Sequence, residues 1–447
     1  MPENLNAQLA NTFGPHLAAV SARTARALEA TGFSSLLVHS GSQLPVFEDD
    51  QHYPYIAHAP FKVWAPLGDA PDSFVYFEPG LRPRLILNQP RDYWHQPPAL
   101  PSGYWADAFD VRVVHERGDA RAELPKNLAD SAYIGDRIAE LGAWGLRAVN
   151  PPPLMRRLDY VRAVKTPYEI LCLREASRTG SLGHRAARAA FFADASEFEI
   201  ELAFLAACGQ RERELPYNPI IALNTAAAVL HYQLLERQPP AERHSMLIDA
   251  GTAFAGYASD ITRTYSREDP DFGRLIERLD GLQRRLTHEV HPGLDWRALH
   301  LRCHELLAEL LREADLVLCG AEEALARGLT RLFLPHGLGH LLGLEVHDVG
   351  ARLASPDGAE EIPRPKADPA LRLTRVLEPG FVVTMEPGLY FIDALLTPAR
   401  EDERSSLINW TRVAQFSRFG GIRIEDDLLV TESGCDNLTR EAFAALA

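Results

Sequence analysis

Hydrophobic positions along the first 150 residues follow two spacings. Residues 17–30 repeat apolar side chains at helical intervals and stop near Gly32, whereas residues 34–39 (SSLLVH) read as a buried strand. Residues 84–87, 111–115 and 132–134 are further strand candidates, so this part predicts an α/β domain. Asn150-Pro151-Pro152-Pro153 is the sharpest break in the chain. Consecutive prolines do not fit a helix interior or a central strand. The break sets an expected boundary between a domain of residues 1–153 and one of residues 154–447.

Beyond the prolines, residues 154–192 form a long charged amphipathic segment. Residues 197–214 read as a second helix with Leu202, Leu205 and Ala206 on one face. Residues 245–254, 257–266, 381–385 and 422–431 are strand-like, and helical spacing at 272–289 and 295–315 separates them. The proline-rich residues 356–369 read as a surface loop. Strands paired around helices give an α+β class with a curved antiparallel sheet.

Composition narrows the function. The chain has 447 residues, 46% hydrophobic, enough for a large core and more than one domain. Asp plus Glu number 61 against 46 Lys plus Arg, a net charge of −15 that argues against a nucleic-acid or anionic-membrane partner. Five scattered cysteines without a C-x-x-C pair read as reduced thiols. No signal-like N-terminus and no run of about 20 apolar residues is present, so a cytoplasmic protein is expected.

The chemistry sits on acids at strand positions. In SMLIDAGTAFAGYASDITRTYS (residues 245–266), a hairpin turning between Phe254 and Ala255 would set Asp249 opposite Asp260. Directly opposed residues have Cβ atoms about 4.5–5.5 Å apart. Two carboxylates that close, among Leu247, Ile248 and Ile261, call for a cation between them. A plainer alternative has one aspartate capping a turn and the other paired with Arg263. Glu386, ending VVTMEPGLYF, and Glu425, in GGIRIEDDLLV, add two strand-borne acids. PHGLGHLLGLEVHDVG supplies His336, His340 and His347 among glycines that let the backbone approach a centre closely. Four carboxylates with one neutral imidazole are neutralised by two divalent ions. Mostly oxygen ligands favour Mn²⁺, with Co²⁺, Zn²⁺ or Fe²⁺ possible. Two ions about 3.5–4 Å apart would activate a water, which is hydrolase equipment.

HGLGHLLGLEVHD, IDAG…ASDITRT, TMEPGLYF and GGIRIEDD together resemble the metal-bearing strands of the "pita-bread" metallopeptidases, which include prolidase, aminopeptidase P and methionine aminopeptidase. HSGSQLPVFEDDQHYPYIAHAPFKVW and RDYWH resemble the amino-terminal domain of the bacterial prolidase branch, which also holds organophosphorus acid anhydrolases. The resemblance implies an α/β domain followed by a pita-bread catalytic domain. It implies Asp249, Asp260, His340, Glu386 and Glu425 as metal ligands; spacing alone does not choose His340 over its neighbours. Glu386 would also accept the proton of the nucleophile, and His231 and His347 would flank the substrate and stabilise the oxyanion.

The same resemblance assigns Arg372 to the dipeptide carboxylate, places His336 just outside the metal shell, and has Arg423 orient ligands. Tyr217 would line the pocket for the N-terminal side chain, and Asp50 would reach in from the partner of a homodimer. Ion pairing for Arg423 and core packing for Tyr217 are the alternatives. The implied activity is hydrolysis of Xaa-Pro dipeptides, a hydroxide between the ions attacking the carbonyl before proline, with organophosphorus esters as a side substrate. Aminopeptidase P, acting on longer peptides, is the rival; residues 392–411 and the HSG segment favour prolidase. Leu334 and Leu341 depart from the pattern, standing where relatives often carry methionine and proline.

Overall fold

The apolar spacing at residues 17–30 belongs to a longer helix, Glu3–Thr31, in the computed structural model, which describes residues 3–446 apart from residue 268. The chain divides into two units, Met1–Cys172 with Leu353–Glu361, and Leu173–Arg352 with Ile362–Ala447. In the first, β1 (Ser35–His39), β2 (Phe74–Phe77), β3 (Arg84–Asn88), β4 (Asp110–Val114), β5 (Ser131–Ile134) and β6 (Ala148–Val149) form one sheet in the order β4-β3-β2-β1-β5-β6. The pairs β1–β2 and β2–β3 are antiparallel, the other three parallel. Leu37, Phe74, Ile86, Tyr133 and Trp144 share its core. Both β2 and β6 lie outside the strands expected from patterning.

Pro152 and Pro153 do not interrupt the chain. They open the helix Pro152–Arg162, where their missing N–H groups would have had no helical partner. The expected segment 154–192 is therefore two helices, the second running Pro167–Phe192. The helix expected over 197–214 ends at Cys208, stopped by Gly209 at φ 64°. Its buried face carries Ile200, Glu201 and Phe204, while Leu202 is exposed. The cause is polar: the buried Glu197 carboxylate accepts bonds from Leu223 N, Tyr232 Oη and Glu236 N, and these fix the helix's rotation.

The second unit holds β7 (Ile220–Leu223), β8 (Ser245–Asp249), β9 (Ala253–Phe254), β10 (Tyr257–Ala258), β11 (Thr262–Ser266), β12 (Val382–Met385), β13 (Gly388–Tyr390), β14 (Gly421–Arg423), β15 (Asp426–Val430) and β16 (Cys435–Asn437). All pairings are antiparallel: β11-β8-β7, β10-β9, β12-β15-β16 and β13-β14. Glu425 N donates to Thr262 O at 3.0 Å, carrying the arrangement from β11 to the 421–430 strands. Residues 338–342 run along β12 through Leu342 N→Val382 O and Thr384 N→His340 O, both 2.9 Å. The class is α+β, with the helices Pro270–Glu289 and Trp296–Glu313 close to their expected bounds.

The hairpin differs from expectation in one respect. Ala255 (φ 50°) and Gly256 (φ 87°) are its two central residues, so the turn lies one residue later than expected. Two positive φ values in succession make the tight hairpin turn whose twist matches the strands, and glycine takes one of them without strain. Asp249 consequently faces Thr262, not Asp260. The slip moves the partner strand by two residues, which preserves the face. Asp249 and Asp260 remain on one side as diagonal neighbours.

Candidate metal centre

Each acid comes to the centre where a strand begins, ends or breaks. Asp249 ends β8, Asp260 precedes β11, Glu386 separates β12 from β13, and Glu425 separates β14 from β15. Leaving the ladder at these points frees the side chains from packing between neighbours. Asp249, Asp260, His340, Glu386 and Glu425 line one cavity together with His231, His336, His347, Arg372 and Arg423. Donor atoms of Asp260, His340 and Glu425 all lie within 4.8 Å of one another.

Glycine explains how the histidine reaches the acids. A Cβ on Gly339 would lie 2.1 Å from Thr384 O, so only glycine lets this segment lie against β12. Thr384 Oγ1 accepts from His340 N at 3.1 Å. The His340 ring donates from Nδ1 to Leu341 O at 3.0 Å, leaving Nε2 to face Asp260 at 3.4 Å and Glu386 at 3.6 Å.

The electrostatics are those of a site short of positive charge. The Tyr217 hydroxyl lies 2.7 Å from Asp249 Oδ1 and 2.6 Å from Asp260 Oδ1, yet it has one proton to donate. Burial and the neighbouring carboxylates push Glu425 well above the usual carboxylate range, and burial also raises Asp249. Burial pushes Glu386 up to about 7. For Asp260 burial is the largest influence and acts upward, but the bond to and charge of His340, the bond to Tyr217 and the nearby His347 together outweigh it and hold the acid down. His340 is correspondingly raised: against the cost of burial, Asp260 and Glu386 favour its protonated form. Oxygen-rich donors with one imidazole fit divalent ions, and Asp249, Asp260, His340, Glu386 and Glu425 are the residues that would hold them.

A family model of the Xaa-Pro dipeptidase N-terminal domain matches residues 11–160, and that of metallopeptidase family M24 matches residues 171–432. The chain belongs to metallopeptidase family M24. Its M24 relatives include the Xaa-Pro dipeptidase of Xanthomonas axonopodis pv. citri (strain 306), 47% identical over 98% of this chain and 99% of that one. Another is the Xaa-Pro dipeptidase of Stenotrophomonas maltophilia (strain K279a), 46% identical over 97% of each. Among solved structures, E. coli aminopeptidase P in its low-pH form superposes with a TM-score of 0.72 at 22% identity, over 96% of this chain and 97% of that one. That likeness shows the shared pita-bread fold.

Around the M24 centre, Arg423 is the buried counter-charge. It donates to Asp249 Oδ2 at 2.6 Å, Tyr390 Oη at 3.0 Å and Thr262 Oγ1 at 3.1 Å. Thr262 Oγ1 in turn donates to Glu425 Oε2 at 2.7 Å. Because Tyr390 Oη accepts from Arg423, its own proton goes to His336 Nε2 at 2.8 Å, and His336 donates from Nδ1 to Gly337 O. Burial drives His336 down to about 3 and His347 down to about 4. Both are neutral at pH 7. His347 packs edge-on against His340, with ring centroids 4.5 Å apart.

Arg263 does not serve Asp249 or Asp260; its guanidinium bonds Asp426 at 2.6 Å. Tyr217 presents its hydroxyl to the two aspartates. Asp50 is exposed on the first unit. Patterning missed Asp427, whose two oxygens each accept from Asp260 N at 3.2 Å. Burial pushes Asp427 well above its ordinary range. In sequence it is the third acid of IEDD and looks like part of a charged surface.

Proposed function

We propose that this protein is a dipeptidase that hydrolyses Xaa-Pro dipeptides with two divalent ions, manganese favoured. The observation that carries the reading is one cavity lined by four carboxylates, His340 and the exposed Arg372, in a chain similar along its length to proteins named Xaa-Pro dipeptidase. Bound divalent ions supply a water that loses its proton near neutral pH and a Lewis acid for the peptide carbonyl.

The chain's own residues do the rest. Arg372 grips the prolyl carboxylate through paired N–H donors. Proline's tertiary amide has no N–H, so the site has no donor to satisfy on that side of the bond. Neutral His347, with His231 beside the same cavity, donates a hydrogen bond to the oxygen as it gains negative charge. Glu386, raised chiefly by burial to about 7, takes the proton of the attacking water and passes it to the departing prolyl nitrogen. The carbonyl carbon gains a hydroxyl, the C–N bond breaks, and the free amino acid and proline leave. Tyr217 and Arg423 hold Asp249 in place.

The test compares Leu-Pro with Leu-Pro-Gly on metal-stripped protein given Mn²⁺ again. Restored cleavage of the dipeptide, with the tripeptide at least tenfold slower, is expected. Equal rates would replace the reading with an aminopeptidase acting on longer peptides, and no cleavage of either would end it.

A further inference from the structure

A second cluster lies apart from the cavity lining. His300 and His304 stand one turn apart on the helix Trp296–Glu313, both about 1% exposed, and face Asp368. His300 Nε2 is 3.4 Å and His304 Nε2 3.8 Å from the same oxygen, Asp368 Oδ1, and the rings stand 4.8 Å apart at 85°. Ligand atoms bonded at about 2.0–2.1 Å around a tetrahedral ion are separated by about 3.3–3.4 Å. The two distances to Asp368 Oδ1 are within tenths of an ångström of that spacing, and all three ligand atoms lie within 4.8 Å of one another.

Two further observations point to a ligand. Among the described residues, Nδ1 of His300 has no hydrogen-bond partner, and Nε2 has only the long, poorly aligned approach to Asp368, a costly state for a buried imidazole. His304 is already oriented for coordination. Its Nδ1 is held 3.0 Å from Thr330 Oγ1, which fixes the ring with Nε2 turned toward Asp368. Asp368 is itself braced by Arg331 at 2.7 and 3.0 Å, and each carboxylate oxygen keeps a further lone pair.

We propose that His300, His304 and Asp368 form a structural metal site of zinc type, distinct from the catalytic ions, with water as a fourth ligand where Asp368 reaches the surface. Two imidazoles and one carboxylate suit zinc better than the oxygen-rich catalytic set does. The ion fastens the helix to the segment that continues to Ala370 and Arg372 at the cavity wall.

The experiment counts metal on the full chain. The Asp260→Asn/Glu425→Gln variant, dialysed against nanomolar buffered zinc, is expected to retain one zinc per chain, and adding His300→Asn should remove it. Zero zinc in the Asp260→Asn/Glu425→Gln double variant, while its circular dichroism matches wild type, would overturn the site in favour of a proton shared between His300 and Asp368. Should the double variant misfold, wild type and His300→Asn are compared directly. A loss of one ion per chain, together with the visible absorption of tetrahedral Co²⁺ in the cobalt-loaded protein, supports the site. Equal metal content overturns it.

Discussion

Replacing Glu386 with glutamine is expected to stabilise the metal-free protein, in a manner that depends on pH. Burial moves the folded carboxyl from 4.5 up to about 7, so the folded state binds this proton more tightly than the unfolded chain does. The stability this group contributes is therefore complete below pH 4.5 and is lost as pH rises to 7. At 1.36 kcal/mol per pKa unit the shift corresponds to about 3 kcal/mol. Glutamine keeps the shape of the protonated acid and does not titrate. Wild type and Glu386→Gln, both stripped of metal, should be within about 1 kcal/mol at pH 5. At pH 8 the variant should be the more stable by about 3 kcal/mol. Urea unfolding followed by circular dichroism measures the difference. Adding divalent ions at pH 8 should reverse the order, since the ions stabilise only the chain that can still ligate them with Glu386. Parallel pH curves for the two metal-free proteins would refute the claim that burial raises this carboxyl despite the nearby His340 and Arg423.

Two other substitutions probe the scaffold. Gly339→Ala forces a methyl against Thr384 O and should cost about 1–3 kcal/mol while lowering metal affinity, read by thermal unfolding and metal titration. Arg423→Met leaves Asp249 without its counter-charge and should cost about 3–5 kcal/mol; Arg423→Lys should recover only part of it, because one ammonium does not reproduce the fork to Asp249, Tyr390 and Thr262.

The acids were legible because each stands at the end or break of an apolar strand, a pattern that survives errors of detail. Asp249 and Asp260 show this: the turn falls one residue late, yet period-two alternation returns both to the same face. What patterning missed depends on polar contacts between distant segments. The rotation of the helix Glu197–Cys208 follows from three bonds to a buried glutamate, and hydrophobic spacing carries no trace of them. Asp427 and Tyr390 act through partners far away in the chain, Asp260 and His336. The strand β7, IIAL, is a continuous apolar run buried at every position, so it shows no alternation to mark it as a strand.

The donors of the catalytic cavity are scattered from residue 249 to residue 425. A ribosome that has delivered Asp249, Asp260 and His340 has still not delivered Glu425, so the growing polypeptide holds an incomplete set of acids. The full set of donors therefore exists only once the strand that follows Glu425 has been made and Glu425 N has bonded to Thr262 O.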